Sequence, residues 1–578
     1  MVIFSALRDA FRSGYSRSNF KADLVAGITV AIIAIPLAMA LAIAVGVPPQ
    51  YGLYTVIVAG TIAALCGGSR FNITGPTAAF VVILLPITEQ YGIQGLLLAT
   101  VMSGAILFLM GLLKLGRLVM FVPYPVVAGF TAGIGFTIAF LQLKDLLGLT
   151  LSSNPHHFLE KVAAYGQALP TLVWADAIVG AVTLAAFVLW RRRKSNIPPH
   201  LIALVVGTVT ALVLTHTGLG HAATIGDRFS YDLNGVKGVG IPPFLPSWHS
   251  PFAGIDMSMV VELLPAAITI ALLGSLESLL CAVVADGMTK TKHNPNGELV
   301  AQGIANMVTP FFGGIPATAA IARTAANIRA GAISPIAGMV HAAFVLLAIV
   351  ALAPWLSFIP MSTLAALLVM VAWNMSEVPH FIRTIKVAPK ADVAVLLTCF
   401  GLTVVFDMVI AVAYAMLLAG VLFIHRMARL TDIEQGQSEE MTPVPYLGDE
   451  VSVYKLRGAF FFAACEKVLM KLSHSHHNSQ LVVLDMRQLV AMDYTALKQF
   501  AMTLEDIAPK PVIILGAAAH IQHKLYKAGI IPSDHCWLCA NVAGIRPLID
   551  QISPKVTQAL STENETSMYT DSSSPQPH

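Results

Sequence analysis

The sequence predicts a polytopic α-helical membrane protein of about fourteen transmembrane segments, arranged as two inverted halves of about seven, plus a C-terminal cytoplasmic α/β domain. Three observations lead there. Hydrophobic residues make up 56% of the 578 residues and charged residues only 12%, with a mean hydropathy of +0.74, whereas soluble proteins carry about 25% charged residues. The cations gather at alternate ends of the apolar runs. Finally, a proline opening a very short apolar segment occurs twice, in Thr74-Gly75-Pro76-Thr77-Ala78-Ala79-Phe80 and in Gly314-Ile315-Pro316-Ala317-Thr318-Ala319-Ala320.

Residues 1–22 are polar and basic, with Arg8, Arg12, Arg17 and Lys21. The apolar run after them exceeds the about 7–15 residues of a signal-peptide core, so they read as a retained cytoplasmic arm. The transmembrane region, 23–430, holds runs at about 24–46, 51–66, 76–88, 93–113, 121–143, 175–190, 199–215, 258–285, 298–311, 316–327, 332–353, 361–375, 391–406 and 408–424. With the arm inside, even-numbered runs return to the cytoplasm. There lie Lys114 and Arg117, Arg191 to Lys194, Lys290 and Lys292, Arg383, Lys386 and Lys390, and Arg426 and Arg429. The outer loops hold only Lys144, Lys161, Arg228 and Lys237. This parity predicts that both termini are cytoplasmic, and the expected location of such a multi-pass chain is the inner (plasma) membrane. The small net charge of +3 gives no support to nucleic-acid binding.

The two proline-led segments are the third run of each half. Proline suits the first helical position, where its missing N–H would be unpaired anyway, so each segment reads as a helix starting at membrane depth with N–H groups turned outward. Such groups are tolerable only against protein or a polar cavity. An odd number of runs per half inverts one half relative to the other, so both helix starts point at one central site suited to an anion.

Arg323 lies seven residues after Pro316. An arginine at this depth costs about 2.5–3.5 kcal/mol on insertion scales, so it faces a cavity or a partner. Glu277 lies well inside the eighth run, with Gly274 three residues before it and Cys281 four after it on its helical face, and Ser278 adjacent in sequence. Desolvation makes such a carboxylate costly to keep charged, so it is a coupling-ion candidate, alternately protonated and paired with Arg323. Glu262 reads as an outer-edge charge, His341 as a hydrogen-bonded packing histidine, Asp407 as a turn residue, and His474, His476 and His477 as a solvated loop. Cys536 and Cys539 form a CxxC near His520, His523 and His535, yet the other spacings suit neither a metal site nor a disulfide framework. No nucleophile–base set, phosphate-binding loop or metalloprotease motif is present, so neither enzymatic activity nor a cofactor is expected.

After Arg429 the patterning becomes that of a soluble domain. A polar linker at 431–449 precedes a domain at 450–553, with strands at Val451–Leu456, Leu481–Asp485 and Val512–Leu515 and helices at about 461–473, 493–507 and 518–528. The Ser/Thr/Pro-rich tail, 554–578, is expected to be disordered.

Taken together, these features resemble the SulP anion transporters, which include prestin and pendrin. Ala317-Thr318-Ala319-Ala320-Ile321-Ala322-Arg323-Thr324-Ala325-Ala326-Asn327 is similar to the family's tenth-span motif, and Ile35-Pro36-Leu37-Ala38-Met39-Ala40 to its first-span signature. The C-terminal domain resembles a STAS domain, and Asp493-Tyr494-Thr495-Ala496 matches the loop in which soluble relatives carry a phosphorylatable residue, here Thr495. The resemblance implies a homodimeric secondary transporter of small anions in which runs 1–4 and 8–11 move against runs 5–7 and 12–14. Its substrate site would comprise Thr74, Gly75, Thr77, Ala78, Ala79, Phe80, Thr318, Ala319, Ala320 and Arg323, with Glu277 and Cys281 at the coupling-ion position. Partners would be a small inorganic or organic anion, a proton, the lipid bilayer and cytoplasmic proteins met through STAS.

Departures from the family pattern qualify this. Leu37 and Ala322 stand where many relatives have Gln and Ser, and Glu277 and Cys281 stand where sodium-coupled bicarbonate members have Asp and Thr. A thiol is a poor ligand for hard sodium, which favours a proton. The Gly274–Thr289 run resembles dicarboxylate-type bacterial members, which adds succinate-like anions to bicarbonate and sulfate. The alternatives are an uncoupled anion channel or exchanger, sodium-coupled bicarbonate uptake and a nucleobase-type permease.

Overall fold

The computed structural model describes the chain apart from residues 1–2, 118–121, 153–154, 156–157, 194, 196, 234–235, 253, 407, 437–450, 466–468, 471, 473–478, 509, 532 and 553–578, and the side chains of 233, 236, 408–409 and 435–436. It divides into two compact units, Met1–Leu417 and Leu418–His578.

The first unit opens with a short helix, α1 (Ser5–Arg12), and the long α2 (Arg17–Ala44). Ser16 caps α2 by accepting the Asn19 N–H at 3.3 Å, so this helix begins before the apolar run does. Then come α3 (Pro49–Cys66), the two-residue strand β1 (Thr74–Gly75) and α4 (Val81–Leu112), preceded by a 3-10 turn at Ala78–Phe80. Gly92, at φ 64° and ψ −166°, breaks α4 into the two runs expected from the sequence. Next follow α5 (Tyr124–Leu141), α6 (Leu143–Leu146), α7 (Phe158–Ala168), α8 (Trp174–Arg191), α9 (Pro199–His216) and α10 (Ile225–Arg228). A hairpin, β2 (Ser230–Leu233) with β3 (Val236–Val239), separates the halves.

The second half has α11 (Met257–Thr289), α12 (Pro295–Val308), the two-residue β4 (Thr318–Ala319), α13 (Ile321–Arg329), α14 (Ile336–Leu356), α15 (Met361–Ser376), α16 (Val378–Val387), α17 (Lys390–Val405) and α18 (Met408–Leu430). Among the described residues, 10 helices are long and apolar enough to cross a membrane. The break at Gly92 divides one of them, and the shorter α12, α13 and α17 complete the expected set. Packing sorts the helices into two groups. One holds α2, α3, α4, α11, α12, α13 and α14; the other holds α5, α8, α9, α15 and α17. The groups touch where α15 and α9 meet α2 and where α5 meets α4.

The second unit is built on a five-stranded sheet in the order β5 (Asp432–Gly436), β6 (Val451–Phe460), β7 (Leu481–Met492), β8 (Val512–Leu515) and β9 (Cys536–Cys539). The last four are parallel and β5 is antiparallel to β6. Two strands differ from the sequence expectation. Asp432–Gly436 was expected as linker, but it pairs as an edge strand in which Ile433 alone supplies a buried apolar side chain, a pattern too polar to stand out. The strand at Cys536–Cys539 was read only for its CxxC spacing, because it lacks the β-branched residues of Val512–Leu515. Helix α19 (Tyr494–Ile507) starts at Asp493, whose carboxylate accepts the Ala496 N–H at 2.8 Å, and α20 (Ala519–Lys527) follows β8.

Candidate functional site

The site is built where the chain crosses itself in the middle of the first unit. Strands β1 and β4 pair antiparallel, Thr74 with Ala319 and Gly75 with Thr318, and the Ala320 N–H donates to the Ile73 carbonyl at 3.0 Å. Backbone groups at membrane depth need partners, and two short extended segments from opposite halves supply them to each other. The prolines therefore do not sit at the first helical position, as the sequence suggested. Proline cannot donate to a ladder, so Pro76 directly follows β1 and Pro316 precedes β4 by two residues. Helical structure begins only at Ala78 and Ile321, whose first turns leave N–H groups without intrahelical partners.

A polar ladder on α12 fixes this crossing. Glu298, Gln302 and Asn306 recur every four residues on one face of a short membrane helix, and all three are buried. Glu298 accepts from the Gly68 and Ser69 N–H groups at 3.0 and 3.1 Å and from the Asn72 amide at 2.7 Å. Gln302 donates to the Thr74 hydroxyl at 2.8 Å. Asn306 accepts from the Ala317 N–H at 2.8 Å and donates to the Ala317 carbonyl at 2.9 Å. Thr55 accepts the Ile315 N–H at 2.8 Å, Ser278 accepts the Ala319 N–H at 3.2 Å, and Thr324 accepts the Ile73 N–H at 3.0 Å. The sequence reading missed this ladder; its signal was the four-residue polar spacing.

Beside the crossing lies a cavity of about 390 Å³. Its inner wall is made by Pro76, Thr77, Ala78, Ala79, Glu277 and Ala320 to Arg323. Its other end reaches the surface among Asn374, Glu377 and His380, all exposed. Arg323 is 2% exposed. One terminal nitrogen, Nη2, donates to the Pro76 carbonyl, while Nε and Nη1 are buried with no hydrogen-bond partner in the protein. The guanidinium fits because residue 75 is glycine: a Cβ there would stand 2.5 Å from Nη1. Glu277 accepts from the Thr77 hydroxyl through Oε1 at 2.7 Å, and its Oε2 has no protein partner. Neither residue pairs with the other, so the expected Glu277–Arg323 salt bridge is not formed; Thr77 and Pro76 occupy the facing atoms instead.

The structure thus brings Thr77, Ala78, Ala79, Ala320, Arg323 and Glu277 together on one wall. Thr74, Gly75, Thr318 and Ala319 are the strand pair behind it, and Phe80 is buried against α11, near Gly274. Cys281 turns away, donating to the Thr324 hydroxyl at 3.1 Å. Helix α2 contributes Leu41 to the cavity rather than Leu37, and Ala322 lines it directly. His341 is fully buried, but neither ring nitrogen has a protein partner, so it packs without the expected hydrogen bond. Glu262 is exposed and accepts from Tyr91 at 2.9 Å.

Thr495 lies in the second unit, exposed in the first turn of α19. Cys536 and Cys539 point to opposite faces of the sheet, into separate apolar clusters, and so cannot share a metal; burial pushes the Cys536 thiol up to about 12. Asp407, His474, His476 and His477 lie outside the described residues.

Comparison with known proteins agrees with this architecture. The profile of the Sulfate permease family matches residues 20–399, and that of the STAS domain matches 444–544. YvdB of Bacillus subtilis (strain 168), named for sulfate transport, is 40% identical over 522 residues, covering 89% of this chain and 95% of that protein. The bicarbonate transporter BicA of Picosynechococcus sp. is 28% identical over 555 residues, covering 90% and 93%. The overall structure of SLC26A9 superimposes with a TM-score of 0.81 at 17% identity over 95% of this chain and 93% of that one, which establishes a shared fold. The chain is a multi-pass membrane protein that belongs to the Sulfate permease (SulP) family of transporters and carries a C-terminal STAS domain.

Proposed function

We propose that this protein is a secondary transporter that binds a small anion against Arg323 and the first-turn N–H groups at Ala78, Ala79, Ile321 and Ala322. The observation that carries this reading is the Arg323 guanidinium, which lines the cavity with two buried nitrogens lacking any protein acceptor. A buried donor left unpaired costs about 1–3 kcal/mol and more when charged, and an oxyanion is the ligand that removes this cost. Bicarbonate, sulfate and C4-dicarboxylates such as succinate all have the needed acceptor oxygens. Relatives named for bicarbonate and for sulfate support the first two.

The coupling ion in this reading is a proton carried by Glu277, whose free Oε2 lies at the same wall. Sodium is disfavoured because Cys281 is engaged with Thr324 and adds no oxygen ligand beside Glu277. Transport proceeds by an elevator-like movement of the α2–α4 and α11–α14 group against the α5, α8, α9, α15 and α17 group, in a homodimer of the inner membrane with cytoplasmic termini.

The test has two stages. Purified protein is screened by thermal shift against sulfate, bicarbonate and succinate; at least one stabilises it, and Arg323→Gln abolishes that shift. Uptake into proteoliposomes is then driven by an imposed proton gradient and loses that dependence in Glu277→Gln. Anion binding unchanged in Arg323→Gln would move the site elsewhere. Currents that neither saturate nor respond to the proton gradient would favour the uncoupled channel.

A further inference from the structure

At its surface end the cavity carries a charge of the wrong sign for an anion. Glu377 lines the mouth and is exposed. It is the single residue joining α15 to α16, held in the left-handed region at φ 41° and ψ 45°, a conformation uncommon outside glycine. Its carbonyl accepts the His380 and Phe381 N–H groups at 2.8 and 2.9 Å, so the joint is fixed by the first turn of α16. Among the described residues no cation stands within ion-pair distance of its carboxylate. The neighbouring polar groups make their own contacts: the cation Arg191 donates to the Asn374 amide oxygen at 2.9 Å rather than to Glu377, and the His380 ring meets Tyr124 edge-on at 5.8 Å. His200, also on the cavity wall, meets Phe187 edge-on at 4.9 Å.

We infer that Glu377 is a specificity-determining residue, an electrostatic collar that lowers the affinity of anions entering from its own face and does so more for dianions than for monoanions. This rests on the reading that the anion passes through this cavity to Arg323. Coulomb energy scales with the charge of the passing ion. The penalty that Glu377 places on a monoanion such as bicarbonate is therefore doubled in energy, and squared as a ratio of affinities, for a dianion such as sulfate. Arg323 attracts both at the closed end; the collar keeps the open end from retaining the more highly charged one. An anion released toward Glu377 is thus less readily recaptured there than one bound from the opposite face.

The experiment uses the full chain in proteoliposomes. Orientation is fixed by impermeant thiol labelling at Lys386→Cys, since all six native cysteines are buried. Half-saturation is measured on each face for bicarbonate and sulfate, each as substrate or, where one is not carried, as competitor of the other. In Glu377→Gln the value on the Glu377 face is expected to fall by about threefold for bicarbonate and about tenfold for sulfate at low ionic strength. The opposite face should be unchanged, and the shifts should shrink toward one in about 1 M salt, where screening acts within about 3 Å. If Glu377→Gln does not assemble, Glu377→Asn gives the same charge change with a side chain better suited to left-handed backbone.

Equal shifts for the two anions, equal shifts on both faces, or none would overturn the inference. Failure of the underlying reading looks different: neither anion then binds in an Arg323-dependent way, in the parent protein or in the variant.

Discussion

The two crossing segments share a backbone design and differ in chemistry. Around β1 the chain provides acceptors and a hydroxyl: the Pro76 carbonyl holds Arg323, and Thr77 donates to Glu277. Around β4 it provides the cation itself, in the first turn of α13. Anchoring differs as well: α12 holds β1 itself by one bond from Gln302 and its approach by three to Glu298, while it holds the approach to β4 by two from Asn306 to the single residue Ala317. The lesson is that an inverted repeat supplies a symmetric frame, and a few side chains give it a sign. The N-terminal arm clamps both segments. Phe4 and Ala6 donate to the Cys66 and Gly67 carbonyls ahead of β1, and Tyr15 donates to Asp23 of α2, which in turn accepts the Ile333 and Ser334 N–H groups beyond α13.

The largest way to break this asymmetry is Arg323→Gln, expected to weaken anion affinity by about 100-fold or more, because charge-assisted hydrogen bonds contribute about 1.5–3 kcal/mol each. Isothermal titration or thermal shift reads it, and Thr77→Val on the other segment should cost far less. Next comes anchoring. Asn306→Ala leaves both Ala317 backbone groups unpaired and should cost about 3 kcal/mol of stability, against about 1 kcal/mol for Gln302→Ala. Thermal unfolding in detergent measures the difference, and equal losses would mean that the two anchors are equivalent.

Glu277→Gln should leave anion affinity within about threefold while removing the response to a proton gradient, because the amide can still accept from Thr77 but cannot titrate. The smallest effect belongs to the arm. Tyr15 donates to Asp23 at 2.8 Å, and burial, together with that carboxylate, pushes its phenol up to about 12. Because the folded value is raised, its contribution is complete below the ordinary value near 10 and is lost as pH rises through about 12. Tyr15→Phe should therefore cost about 1 kcal/mol across the neutral range. A larger loss would make the arm a principal clamp on both segments.

Much of this was legible in the residues. Composition gave the membrane, the alternation of cations gave the parity of the runs, and an arginine and a glutamate in apolar surroundings stood out because charge at that depth is expensive. Two-residue strands whose register partners lie as far apart in the chain as Thr74 and Ala319 leave no periodicity to read, so the prolines were assigned to helix starts. Glu298, Gln302 and Asn306 were passed over because their segment was read for its length rather than its face.

By itself, then, the sequence determined that the chain crosses the bilayer about fourteen times in two mutually inverted halves, and that Arg323 and Glu277 lie at membrane depth. These follow from the solvent, which penalises every unpaired polar group along a local stretch of chain. Only the tertiary structure decided that Pro76 and Pro316 flank a strand pair, that Arg323 is held by a carbonyl rather than by Glu277, and that α12 supports both strands. Each of those depends on which distant groups meet, and hydrogen bonds between residues 200 or more positions apart have no local signature.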